Sequence, residues 1–190
     1  MDCQQKRKSN IIRLCVTAVL IALASVLSLI KIWHMPLGGS VTLLSNLPIV
    51  MLSLMYGVKW GLCSAAMYSV IQLIFGITMD GLLGWGLTPQ ILVGAIVFDY
   101  LLAYTLLGFA GIFRKGGNVM LCVGVGTAMF LRFLSHFISG CVFFQSFEIF
   151  NNPVIYSICY NGFYMLPELV LTIVGAVLCL KIPVIKKMFS

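Results

Sequence analysis

The sequence predicts an all-α integral membrane protein: a single domain over residues 1–190, built as a six-transmembrane-helix bundle with N- and C-termini cytoplasmic. Three observations predict it. The 190-residue chain is 61% hydrophobic and 9% charged, with a mean hydropathy of +1.09, whereas soluble domains carry roughly 25% charged residues. Its apolar runs are about 20 residues long, enough to cross a hydrocarbon layer about 30 Å thick. Ten of its twelve lysines and arginines fall at the chain ends or in every second connection between runs, the asymmetry that the positive-inside rule ties to the cytoplasmic face. A net charge of +7 would suggest nucleic acid in a soluble protein. Placed in such connections it reads as membrane topology, with the lipid bilayer and no nucleic acid as partner.

The first span, 11–32, follows the basic segment MDCQQKRKSN. No A-x-A-type cleavage site is present and further spans come after, which favours a retained helix over a cleaved signal peptide. Ala18, Ala22 and Ala24 give this span a small-residue face, open to two uses: internal packing, or docking of a partner subunit. The connection KIWHMPLGGSVTLLSN is broken by Pro36, Gly38 and Gly39. Its Trp33 is either an interfacial anchor or part of a lid over a site. The second span, 41–57, contains Pro48, expected to kink it. Lys59 marks a tight turn to the third span, 60–78, where Tyr68 and Gln72 sit one turn apart. MDGLLGWGLTP is too short and apolar for a free linker and is expected to pack on the outer mouth of the bundle. The fourth span, 90–113, carries Asp99 and Tyr100 and ends at Arg114 and Lys115. The fifth, 118–144, and sixth, 153–182, are joined by a short loop with Glu148, which makes them antiparallel neighbours. Pro153 suits a first helical position, and Pro167 is expected to kink the sixth span. Six crossings place both termini with Lys59, Arg114 and Lys115 on the inner side, and the loops holding Trp33, Asp80 and Glu148 outside. Seven cysteines without a CxxC pair read as small buried residues, with no disulfide framework and no zinc site.

Polar residues concentrate between Arg132 and Asn161. An ionisable group in hydrocarbon costs about 2.5–3.5 kcal/mol on insertion scales, so each is a candidate functional residue. Arg132, His136 and Phe143 share a face of the fifth span, with Gly140 leaving space beside it. Tyr156, Tyr160, Tyr164 and Glu168 follow at four-residue steps in the sixth, with Asn161 nearby. Converging with Asp99 and Tyr100, these stripes enclose a cavity in the outer half of the bundle. Its carboxylate, imidazole, amide and rings suit a flat, polar, cationic heteroaromatic ligand. A structural use of the same residues is a buried Arg132–Asp99 ion pair between the fourth and fifth spans. The chain lacks Walker A, HExxH and GxSxG motifs, and His34 and His136 are its only histidines. It reads as no enzyme, with no metal.

Four segments, MPLGGSVTLLSNLPI, FDYLLAYTLLGFAGIFR, RFLSHFISGCVFF and NPVIYSICYNGFYMLPE, resemble the substrate-binding S components of energy-coupling factor (ECF) vitamin transporters, specifically the thiamine-specific type. The resemblance implies a six-helix bundle with a vitamin pocket near the outer face, capped by the first outer loop. It implies binding and translocation of thiamine (vitamin B1) as a transported ligand, with no cofactor, by a multi-pass protein of the bacterial cell membrane. The implied partners are an ECF transmembrane coupling subunit and two cytoplasmic ATPase subunits. Asp99, beside Tyr100, stands where the family carries a glutamate that serves the thiazolium ring. Arg132 matches a basic position one turn before the family histidine, which matches His136. Phe144 stands where a tryptophan can, so stacking on the aminopyrimidine is weaker or shared with Phe143. Tyr156 and Asn161 match the family's tyrosine and asparagine, while Trp33 or Trp85 supplies a lid ring. Ala18 and Ala22 match the motif that docks on the coupling subunit. Two alternatives remain at this stage: an S component for another vitamin or heteroaromatic nutrient, and a non-transport membrane assembly subunit.

Overall fold

The computed structural model describes residues 3–35, 38–143 and 152–182. Six helices dominate: α1 (Cys3–Leu29), α2 (Asn46–Tyr56), α3 (Val58–Thr78), α4 (Pro89–Phe113), α5 (Gly117–Phe143) and α6 (Pro153–Leu180). Five of them are long and apolar enough to cross a membrane, and α2 is shorter. Apolar side chains such as Leu14, Val19, Met67, Val119, Phe130, Leu166 and Val170 point outward, as expected when the surrounding solvent is lipid.

The main departure from expectation is the second span. Residues 41–45 are not helical. Lys31–His34 (β1) and Ser40–Thr42 (β2) form an antiparallel hairpin, with Trp33 opposite Val41 and His34 opposite Ser40. The chain then reverses at Leu44, whose φ is +60°, and α2 begins at Asn46. Its 11 residues span about 16 Å, half of a hydrocarbon layer. Pro48 therefore does not kink a long helix. It occupies the first turn, where a missing N–H costs nothing. Nine of the eleven α2 residues are buried, among them Ile49, Val50, Leu52 and Leu54 with no exposure. A helix apolar on every side belongs in the middle of a bundle, and α2 is the hub of the main apolar core.

Glycine contacts bring α3 and α4 together. A Cβ on Gly108 would stand 2.5 Å from Leu62 N and 2.7 Å from Gly61 C. Ser53 of α2 joins the same seam, donating from Oγ to Gly108 O at 2.5 Å and accepting from Gly111 N at 2.9 Å. Helix α4 changes winding along its length: α over Pro89–Ala95, π over Ile96–Leu102, a short α turn over Ala103–Thr105, and 3-10 over Leu106–Phe113. Its start is set by Thr88, whose side chain accepts from Ile91 N, and by Pro89 behind it, a standard N-terminal signal.

At one end of the bundle two arginines close the C-terminus of α2. Arg13 donates to Tyr56 O at 3.3 Å and lies over the Trp60 ring at 3.8 Å. Arg114 donates to Met55 O at 3.1 Å. Cations at a helix C-terminus satisfy its free carbonyls and complement its dipole. On α1, Ala18 and Ala22 are exposed and share a face, but Ala24 has no exposure and turns into the core. The three do not form one face. Cys15, Cys63 and Cys159 are exposed rather than buried.

Replacing Gly108 by Val should lower stability by about 1–3 kcal/mol, the usual cost of overpacking. Gly126, beside which a Cβ meets nothing within 4 Å, should accept Ala within about 0.5 kcal/mol. Thermal unfolding in detergent separates the two; equal melting of both variants would refute the seam.

Candidate functional site: a polar chamber beneath the hairpin

At the end opposite Arg13 and Arg114, the hairpin, the 79–88 connection and the helices α4, α5 and α6 surround a polar chamber. Three contacts hold the hairpin over it. Lys31 Nζ pairs with Asp80 Oδ1. Trp85, whose Nε1 donates to Asp80 O at 3.0 Å, lies so close to Gly38 that a Cβ there would come within 2.7 Å of its ring. Gly39 N donates to Tyr160 OH at 3.2 Å. Gly38 has φ +89°, a conformation that suits glycine alone.

The four-residue spacing in α6 produces an aromatic wall. Tyr156 and Tyr160 are stacked with centroids 5.6 Å apart, and Tyr160 meets Tyr164 edge-on at 6.0 Å. Tyr164 OH donates to Asn161 Oδ1 at 3.0 Å, and Asn161 Nδ2 donates to Ser157 O at 2.9 Å. The amide of Asn161 is thus held in one orientation by its own helix.

Asp99 faces this wall from the π turn of α4. The wider turn leaves Phe98 O free to accept from Ser135 Oγ at 2.6 Å, and π turns commonly mark functional positions. Asp99 Oδ1 lies 2.9 Å from His136 Nδ1, and Oδ2 accepts from Ser139 Oγ at 2.6 Å. With Nδ1–H turned to the carboxylate, a neutral His136 presents Nε2 as an acceptor. That atom is buried and has no partner among the described residues. A buried polar atom without a partner costs about 1–3 kcal/mol, so it marks a place for a ligand donor.

Deeper in the bundle, Glu168 collects four donors. Oε1 accepts from Thr42 N at 3.1 Å and Thr42 Oγ1 at 2.7 Å. Oε2 accepts from Asn46 Nδ2 at 2.8 Å and Arg132 Nη1 at 2.9 Å. The Arg132 guanidinium also lies over the Tyr104 ring at 4.5 Å. The alternative structural use, an Arg132–Asp99 ion pair, is therefore not formed: Arg132 pairs with Glu168, and Asp99 with His136. The cause is depth: α4 and α6 descend from the hairpin end while α5 ascends toward it. Asp99 then lies level with His136 and Ser139, and Glu168 lies level with Arg132.

Of the residues singled out from sequence, Trp85, Asp99, Tyr100, Arg132, His136, Tyr156, Tyr160 and Asn161 line the chamber. Trp33 does not: it is 57% exposed, and it meets Phe163 edge-on on the outside. Phe143 lies behind the chamber, against Gly94 and 5.9 Å from the Phe98 ring. Its face matches that of His136, but Gly94 opens a gap in α4 that draws it aside. Phe144 lies outside the described residues. Sequence reasoning placed Tyr164 and Glu168 in the polar stripe without assigning them to the site, and it missed Lys31, Asp80 and Tyr104, which also line it.

A multi-helix membrane protein with a chamber of hydrogen-bonding groups and rings near one surface belongs to the class of small-solute membrane carriers. The comparisons specify which. The chain belongs to the thiamine transporter protein family (Thia_YuaJ), whose sequence profile matches residues 14–187. It is 34% identical over 189 residues to the thiamine transporter ThiT of Bacillus subtilis (strain 168), covering 92% of each chain. Its fold is similar to that of ThiT from Listeria monocytogenes, with a TM-score of 0.73 over 95% of this chain and 98% of that one; at 19% identity the likeness concerns the fold. Family and relative are transporters, and this is a multi-pass membrane transport protein, not an enzyme.

Glu168→Ala should destabilise the protein by about 3–5 kcal/mol, because it leaves Arg132 charged, buried and unpaired. The double variant Arg132→Met/Glu168→Met should fall closer to the native protein, with a residual loss from the donors of Thr42 and Asn46. Denaturant melts of the three proteins decide this, and a double variant worse than Glu168→Ala would overturn the assignment.

Proposed function

We propose that the chamber binds thiamine and that the chain is the substrate-binding S component of an ECF-type importer. Charge balance is the observation that carries the reading. The chamber is lined by three carboxylates, Asp80, Asp99 and Glu168, and by two permanent cations, Lys31 and Arg132. Lys31 neutralises Asp80 and Arg132 neutralises Glu168. Asp99 is left with only a histidine and a serine, so with His136 neutral the chamber carries one uncompensated negative charge. A monocation restores neutrality, and thiamine is a monocation.

Its chemistry fits the remaining groups. The thiazolium ring is drawn to Asp99 and to the faces of Tyr156 and Tyr160. The aminopyrimidine amine supplies a donor of the kind that His136 Nε2 lacks. Asp99 has acceptor capacity beyond the two donors it already takes. Tyr100 packs against Gly76 beside Asp99 and fixes the rim of the π turn, and Trp85 closes the mouth over Gly38.

In this reading the hairpin and α2 together make one of six crossings, both termini are cytoplasmic, and the chamber opens outward. The exposed pair Ala18 and Ala22 on α1 is the docking face for the transmembrane coupling subunit, which in turn engages two cytoplasmic ATPases. The loaded component then topples in the membrane to carry the chamber inward.

Isothermal titration of the purified protein should show thiamine binding at micromolar strength or tighter. Asp99→Asn should weaken it by about 2 kcal/mol or more, roughly 30-fold. Absence of thiamine binding to the native protein would sink the proposal. Bulky residues at the docking face, Ala18→Trp with Ala22→Trp, should abolish co-purification with the coupling subunit while leaving the titration unchanged. Intact co-purification would move the docking face elsewhere.

A further inference from the structure

The basic end of the bundle holds a second concavity, remote from the chamber. It is an open groove between the α2–α3 turn and the α4–α5 turn. Lys59 at the start of α3 and Lys115 after α4 line it from opposite sides, and both are exposed. Arg114 lies between them, with its Nη1 committed to Met55 O. Gly57, Gly111 and Gly116 also line the groove. No carboxylate lies among its lining residues. The described carboxylates Asp80, Asp99 and Glu168 all line the chamber instead, so no described carboxylate cancels the positive field here.

The other part of the lining is apolar. Ile112, Phe113 and Met120 are 50%, 41% and 45% exposed. Topology alone asks only for cations near this surface. It does not ask for a groove between the two lysines that continues into apolar side chains. That pairing of unbalanced positive charge with an apolar track has the shape of a phospholipid. A zwitterionic headgroup would leave the field uncancelled, whereas an anionic one cancels it.

We infer that this groove binds an anionic phospholipid, its phosphate held by Lys59 and Lys115 and an acyl chain lying along Ile112, Phe113 and Met120. Each lysine near a membrane surface contributes roughly a fivefold preference for an anionic headgroup. The inference does not depend on thiamine, and orientation decides only which leaflet supplies the lipid.

The test is native mass spectrometry of the full chain taken from vesicles of equimolar phosphatidylglycerol and phosphatidylcholine. Bound phosphatidylglycerol should exceed phosphatidylcholine by about tenfold or more. The K59Q/K115Q variant should lose that preference while melting cooperatively at the native temperature. If the double variant does not fold, K115Q alone, on an exposed connection, should lose roughly fivefold. Equal retention of the two lipids, or a preference that survives both substitutions, overturns the inference. So does displacement of the lipid by glycerol 3-phosphate, which would mark a free-phosphate site. Loss of the lipid only when the purified coupling subunit is added, with no headgroup preference before it, would assign the groove to that protein instead.

Discussion

The pair formed by Arg132 and Glu168 is the constraint around which the bundle is arranged. Their side chains are 4% and 3% exposed, in a part of the molecule surrounded by apolar helices. Neither charge could be buried there alone. Together they still leave acceptor sites on Glu168, and these are filled from one place, the segment Thr42–Asn46. The carboxylate thus decides where the chain stops being a strand and starts being a helix. It also faces the first turn of α2, where free N–H groups and the helix dipole favour negative charge.

From that junction the rest of the site follows. A full-length second helix would have filled the space above Glu168 with apolar side chains. Because α2 starts at half depth, the residues before it form a hairpin, and the hairpin cannot pack as tightly as a helix. Irregular backbone at membrane depth is tolerated where it lines a cavity or is covered by protein, and broken spans of this kind place solute sites near the bilayer middle in other carriers. Here the hairpin forms the roof, the tyrosines of α6 form one wall, and the π turn of α4 brings Asp99 to the other. The roof is attached by Lys31–Asp80, Trp85 against Gly38, and Gly39 to Tyr160. Thr42, at the end of β2, connects the roof to the floor at Glu168.

Most of this was legible in the sequence, and the exceptions have physical causes. Five helices were visible as long apolar runs with ends within a few residues of those found, apart from α1, whose basic first turns are also helical. The second span was misread because VTLLSNLPIV is mostly apolar, and hydropathy does not show that its polar residues Thr42, Ser45 and Asn46 serve Glu168 and the turn before the helix. Eight candidate residues line the chamber because helical periodicity fixes which side chains share a face. Partners were harder to read, since pairing depends on the relative depth of antiparallel helices, which spacing within one helix does not contain. Yet a signal existed. Only Lys31 and Arg132 departed from the basic end, and each has found a carboxylate, Asp80 and Glu168. Trp33 and Trp85 could not be separated by sequence, because both sit in turn-rich connections and tertiary contacts decide which ring meets the chamber: Trp85 stands over Gly38, whereas Trp33 meets Phe163 outside.

Charge bookkeeping by location gives the molecule two unlike ends. Inside the chamber each permanent cation is matched by a carboxylate, and the third carboxylate, Asp99, has a histidine and a serine as its partners. At the opposite end the cations have carbonyls and rings as partners but no described carboxylate among the groove's lining residues. A lysine or arginine added near Asp99 would abolish the negative surplus without touching the fold's core, whereas the same change at the basic end would alter little but the surface field. The converse holds for an acid. The chamber is thus set apart by having each of its two permanent cations, Lys31 and Arg132, paired with a carboxylate. The net charge of +7 consequently does not describe the chamber, whose lining sets three carboxylates against Lys31 and Arg132.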